Sequence, residues 1–71
     1  MIRQPVNSSD ISSMGYDEAA QTLEIEFQSG GVYQYFGVPH KVFSEMINSV
    51  SCGKYFHSNI KDVYSGQRIS K

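Results

Sequence analysis

The sequence predicts an α+β domain: a three-stranded antiparallel β-meander followed by two helices packed on one of its faces (β-β-β-α-α). Three observations carry this. Residues 22–28, TLEIEFQ, alternate strictly, with Leu23, Ile25 and Phe27 on one side and Glu24 and Glu26 on the other. That is the pattern of a half-buried strand. The pair Gly30-Gly31 follows closely, and glycine supplies the positive φ that hairpin turns require. Beyond Pro39 the apolar spacing then changes from strand-like to helical, and strands followed by helices make an α+β rather than an α/β order.

The elements run as follows. Residues 1–8 are largely polar with one Pro and are expected to lead in loosely, 1–5 as a loose tail. Residues 11–16, ISSMGY, mix β-branched, polar and aromatic side chains and read as the first strand, with DEAAQ (17–21) as its connector. TLEIEFQ is the second strand, Ser29-Gly30-Gly31 the hairpin turn, and residues 32–37 the third strand. Pro39 suits the first position of a helix, where its missing N–H is not needed. In KVFSEMINSV (41–50), Val42, Phe43, Met46, Ile47 and Val50 share one helical face. Ser51-Cys52-Gly53 breaks that helix, and Ser51 is placed to cap the next. Phe56, Ile60, Val63 and Tyr64 form the apolar face of the second helix, which Ser65-Gly66 ends. The chain is thus one domain over 1–71, with its core in about 6–64 and a loose tail over 66–71.

Composition bounds the function. A chain of 71 residues buries a thin core and has few apolar side chains to spare for a deep substrate cavity. At 39% hydrophobic and 18% charged it is too apolar for a disordered tail. Cys52 is the single cysteine, so no internal disulfide forms. No stretch has the length of a membrane span and residues 1–10 lack a signal-peptide core, so a cytoplasmic protein is expected. The formal charge is −1, without the positive excess of a basic nucleic-acid binder. The charge is unevenly spread, however: residues 1–50 carry a net −4 and residues 51–71 a net +3.

Tyr33 and Tyr35 lie two residues apart on a strand and therefore point to the same face. A two-residue loop at Ser29-Gly30 would put them beside Glu24 and Glu26, on the wet face. A three-residue loop, Ser29 to Gly31, would pair Phe27 with Tyr33 and Ile25 with Tyr35, on the core face. Gln34 favours the core placement, whereas Val32 and Phe36 favour the other. The core placement, with the hydroxyls reaching the rim, is the expectation taken forward.

Three blocks then stand in order: S-S-x-I-x-x-x-G-Y-D from Ser8 to Asp17, L-x-I-x-F-x-x-G-x-x-Y-x-Y-x-x-V-P from Leu23 to Pro39, and S-x-G-x-Y-F-x-x-x-I-K from Ser51 to Lys61. Together they resemble the KTSC domain, named for the C-terminal extension of some lysyl-tRNA synthetases and also found as a free-standing small protein in bacteria and phages. The resemblance covers about residues 6–64. His57 departs from it, standing where the family usually has Asn, as does Val50, where a small residue is usual. Tyr33, Tyr35, Pro39, Gly53 and Phe56 are motif positions, and structural roles are expected of them. Attachment to a tRNA-charging enzyme implies RNA as a partner, by association rather than by chemistry.

The residues nominate a nucleic-acid surface on the second helix. Lys54, Ser58 and Lys61 lie opposite its apolar face, His57 sits at the edge, and Arg68 and Lys71 follow. Lys54, Lys61 and Arg68 would meet phosphates, with Tyr55 as a neighbouring stacking group. The plainer reading is a solvated helix face.

Catalysis is not indicated. Cys52 and His57 are not helical neighbours at i+3 or i+4, and nothing marks an oxyanion site. His40, Cys52 and His57 are too few and too scattered for a metal, and Ser9, Asp10 and Asp17 suit turn and cap roles. The expectation is a non-catalytic binding module without cofactor or metal, taking RNA or another nucleic acid. The alternative is a protein-interaction adaptor with no nucleic-acid role.

Overall fold

Residues 3–70 are described by a computed structural model. Strands β1 (Gln4–Pro5), β2 (Ile11–Asp17), β3 (Thr22–Phe27), β4 (Val32–Phe36) and β5 (Gly66–Ser70) form one antiparallel sheet in the order β1-β2-β3-β4-β5. Helices α1 (His40–Ile47) and α2 (Cys52–Asn59) connect β4 to β5. The α+β class and the helix pair are as the sequence predicts, but the sheet has five strands rather than three.

Both additional strands fall in segments expected to be loose tails. β1 pairs Gln4 with Met14 and Pro5 with Ser13. It is an edge strand, where a proline that cannot donate is tolerated. β5 returns after α2 to pair with β4, setting Gly66 opposite Tyr35 and Arg68 opposite Tyr33. Neither segment carries a recognisable alternation, because one is two residues long and the other begins with glycine and is largely polar. Met1, Ile2 and Lys71, the rest of those tails, lie outside the described residues.

The β3–β4 hairpin closes through Gln28-Ser29-Gly30. The N–H of Phe27 donates to the Gly31 carbonyl and that of Gly30 to the Phe27 carbonyl, each at 2.9 Å. Gly30 turns the chain at φ 103°. Three residues close the loop, as in one of the two expected geometries, but they lie one position earlier. Ile25 therefore faces Tyr33 and Leu23 faces Tyr35. The shift is by an even step, so the tyrosines stay on the core face. An irregularity in β2 between Ile11 and Ser13 similarly turns both Ile11 and Met14 inward, although three positions separate them.

The core lies between this face and the helices. Phe56 of α2 is 2% exposed and meets Phe27 and Tyr35 edge-on, each with centroids 5.3 Å apart. Burying a side chain of that size contributes about 1.5–3 kcal/mol. Tyr16 stacks on Phe43 of α1 at 5.0 Å and its hydroxyl donates to the Val38 carbonyl, tying α1 to β2. Pro39 caps α1 from outside the helix rather than opening it, its carbonyl accepting from Val42 and Phe43. Ser51 caps α2 through a bond from the Lys54 N–H at 3.3 Å.

Both helices end earlier than the periodicity suggests. Val50 and Val63 lie beyond the helix ends and are exposed, while Ile60 remains buried. Among the described residues no helix is long and apolar enough to cross a membrane.

Gly66 is required by contact rather than by φ. A Cβ there would lie 2.5 Å from the Tyr35 ring and 3.1 Å from the Gln34 carbonyl. Tyr35 is only 7% exposed and wedged against Phe56, so it has little room to retreat. Gly66→Ala is therefore expected to lower stability by about 1–3 kcal/mol, outweighing any gain in strand propensity. Urea midpoints check this, and in a Tyr35→Ala background the same substitution should cost measurably less.

The Tyr35 hydroxyl also reports its surroundings. Burial first, then Tyr33 and Asp62, raise its pKa above the usual 10.0. A pKa raised in the folded state gives stability that is complete below about pH 10 and is lost as pH climbs through the folded value. Unfolding free energy measured across the alkaline range should fall above about pH 10, and Tyr35→Phe should make that fall shallower. The pKa values of Tyr16 and Tyr55 are also raised, burial being the first cause in each, and act in the same direction.

Candidate functional site

Asp10 leads into β2, and its backbone N–H donates to the Ser8 hydroxyl at 3.2 Å. That turn brings the Asp10 carboxylate to α2, where Oδ2 lies 2.8 Å from His57 Nε2. Both side chains are about half exposed, at 50% and 49%, so the pair is worth no more than about 1 kcal/mol. The Ser8–Asp10 segment can approach α2 because position 53 is glycine. A Cβ there would come within 3.1 Å of Asp10 Cβ and 3.5 Å of Ser8 Oγ. The motif glycine thus has a packing reason.

The Asp10–His57 pair is a ridge with a cleft on either side. One cleft has mostly polar residues, among them Asn7, Ser8, Ser51, Lys54 and Ser58 with the pair itself, but Val50 and Gly53 also line it. The other, of about 310 Å³, is aromatic, and Phe27, Tyr33, Tyr35 and Phe56 line it with Ser29, Lys61 and the same pair. Its rings are mutually ordered. Tyr33 and Tyr35 are near-parallel at 6.4 Å, and Phe27 meets Tyr33 edge-on at 5.6 Å. The Arg68 guanidinium of β5 lies over the Tyr33 ring, 5.9 Å from its centroid. Tyr35 is buried whereas Tyr33 is only partly so, which makes Tyr33 the ring with surface to offer.

Four of the five nominated residues therefore gather around this ridge: Lys54 on the polar side, His57 on the ridge, and Lys61 and Arg68 on the aromatic side. Tyr55 is not among them. Its hydroxyl donates to Glu45 Oε1 at 2.8 Å, fastening α2 to α1. Burial first, and then the Glu45 carboxylate, raise its pKa. Tyr33 and Tyr35, motif residues of which a structural role is expected, line the aromatic cleft as well as packing in the core.

Sequence reasoning missed Asp10, Phe27 and Ser29 as neighbours of that cleft. Asp10 does form a local turn, but its carboxylate reaches a residue 47 positions away. Sequence carried no signal for it, since Asp10 stands at an unspecified position of the Ser8–Asp17 block.

The acidic side chains of β3 lie on the opposite face of the sheet. Glu24 accepts from Arg3 at 3.0 Å and from Gln34 at 2.9 Å, and Glu26 accepts from Ser13 at 3.0 Å. The cleft is thereby screened from the carboxylates that a two-residue turn would have set beside the tyrosines. Cys52 is buried and its thiol donates to the Met46 carbonyl at 3.3 Å, while His57 turns to Asp10. Cys52 and His57 thus have separate partners and do not form a nucleophile–base pair. Among the described residues no three histidine, cysteine or carboxylate side chains gather to hold a metal.

Comparison with known proteins follows the same outline. The KTSC domain family model matches residues 7–64. The crystal structure of a KTSC domain protein from Yersinia pestis superposes with a TM-score of 0.94 at 42% identity, covering 97% of each chain. An uncharacterised protein from Stutzerimonas stutzeri is 39% identical over 61 residues, 86% of either chain. A lysine–tRNA ligase from Trichormus variabilis is 44% identical over 60 residues, or 84% of this chain but 11% of the ligase. The chain thus spans only about a tenth of the ligases it matches, whereas it matches free-standing relatives along most of their length. From its matched blocks, its fold and its relatives, this chain belongs to the KTSC domain family.

Proposed function

We propose that the chain is a non-catalytic RNA-binding module that takes a single-stranded segment across the aromatic cleft. One observation carries the reading: four aromatic rings, the cation Lys61 and the imidazole of His57 line one open cleft, with the Arg68 guanidinium beside it. An aromatic platform with basic side chains at its rim is the usual equipment for single strands, because every base offers a π-face and every linkage a phosphate. Stacking of one base contributes about 1–3 kcal/mol. The match to a segment of proteins named lysine–tRNA ligase adds an association with RNA. The basic character of residues 51–71, net +3, gives the charge its side.

Few phosphates are engaged, so affinity is modest and falls steeply with salt. Fluorescence anisotropy of a labelled single-stranded RNA at low ionic strength tests this. Wild-type protein should bind, Lys61→Glu should weaken binding about tenfold, and Lys54→Glu, across the ridge, should weaken it less. Tyr33→Ala should cost roughly fivefold to a hundredfold. Absence of salt-sensitive binding by the wild type would sink the proposal and turn attention to a protein partner. Indifference to Lys61→Glu would place any binding elsewhere.

A further inference from the structure

The phosphate and stacking chemistry accounts for Lys61, Arg68 and Tyr33 but leaves one side chain of the cleft at odds with it. Asp10 lines the same cleft and brings a carboxylate to a place where a phosphate backbone is to be attracted. His57 faces only its Oδ2. Oδ1 is committed to no partner among the described residues. A carboxylate has about four lone-pair sites across its two oxygens, so a single contact leaves most of its accepting capacity unused. An acceptor at the mouth of an aromatic cleft is suited to read the hydrogen-bond donors along the edge of a stacked base.

We infer that the aromatic cleft selects an unpaired guanine, whose ring stacks beside Tyr33 while its N1–H and N2–H₂ groups donate to the two oxygens of Asp10. The inference rests on the RNA-binding reading and deepens it by naming the base. Guanine alone presents two adjacent donors on its Watson–Crick edge, which a carboxylate accepts side by side. Adenine and cytosine each set a ring-nitrogen lone pair beside their amino group. Uracil flanks its one N–H with two carbonyls, and those lone pairs repel a carboxylate. The base must be unpaired, because in a duplex the same edge is already in use. At about 310 Å³ the cleft is at the small end of ligand-sized sites, on the scale of one base rather than of a helix groove. His57 supports the arrangement by holding Oδ2 at 2.8 Å, which orients the carboxylate.

The test uses the full chain and four uracil hexanucleotides that differ only at one central position, carrying A, C, G or U. Guanine is expected to bind about tenfold tighter than uracil, a bidentate contact being worth about 1–3 kcal/mol. Asp10→Asn replaces one acceptor by a donor while keeping size, and should bring the four affinities together. Loss of a negative charge raises all four in common, so the ratio is the readout. Equal binding of the four by the wild type overturns the inference while leaving the RNA-binding reading standing. A guanine preference that survives in Asp10→Asn overturns it too. Failure of all four to bind overturns both. The wild-type ranking does not depend on how the variant folds, and circular dichroism of Asp10→Asn separates a lost preference from a lost fold.

Discussion

Phe56 meeting Phe27 and Tyr35 is the contact from which the rest of the arrangement follows. It seats α2 on the sheet, and the orientation of α2 decides where Lys54, His57 and Lys61 emerge. The same contact fixes Tyr35, whose ring in turn lies over Gly66 and leaves β5 no closer partner than glycine. One aromatic wedge thus positions a helix, a ring and a strand that are far apart in sequence. In a domain this small, where the core is thin, concentrating the packing at one point is economical. Core and cleft then share residues, since Phe27, Tyr33, Tyr35 and Phe56 belong to both.

Much of the fold is legible because local rules agree with one another. The alternation of TLEIEF, the glycine at position 30 and the apolar spacing of α1 and α2 point to one arrangement. What escapes the sequence is what tertiary contact decides. β5 has no stripe of its own and exists because β4 offers an edge and Tyr35 a ring to cover Gly66. The hairpin register differs from both simple loop choices because Phe27 pairs across to Gly31. Its parity was nevertheless readable, since placing Gln34 away from the core orders every other residue of the strand.

The site was less legible than the fold, for a related reason. Basic side chains on and after a helix can be counted from spacing, and Lys54, His57, Lys61 and Arg68 were. Their relation to the tyrosines could not be, because those belong to a strand some twenty residues earlier and meet the helix only through Phe56. Tyr55 shows the converse: its neighbours in sequence suggest a surface role, while Glu45 of α1 claims its hydroxyl. Asp10 was legible as a turn residue and not as the partner of His57. Nothing in the spacing of α2 announces that contact, because Asp10 and His57 are 47 positions apart and meet only through the fold.

β5 has a consequence for the margin of the cleft. The family model matches residues 7–64, and β5, spanning Gly66–Ser70, lies beyond that stretch. The floor of the aromatic cleft is therefore drawn from the stretch the family model spans and Arg68 from a strand beyond it. A substitution at position 68 changes what borders Tyr33 while Phe56 and its neighbours stay as they are. The margin of the cleft can then be altered through β5 so long as Gly66, over which the Tyr35 ring lies, is kept.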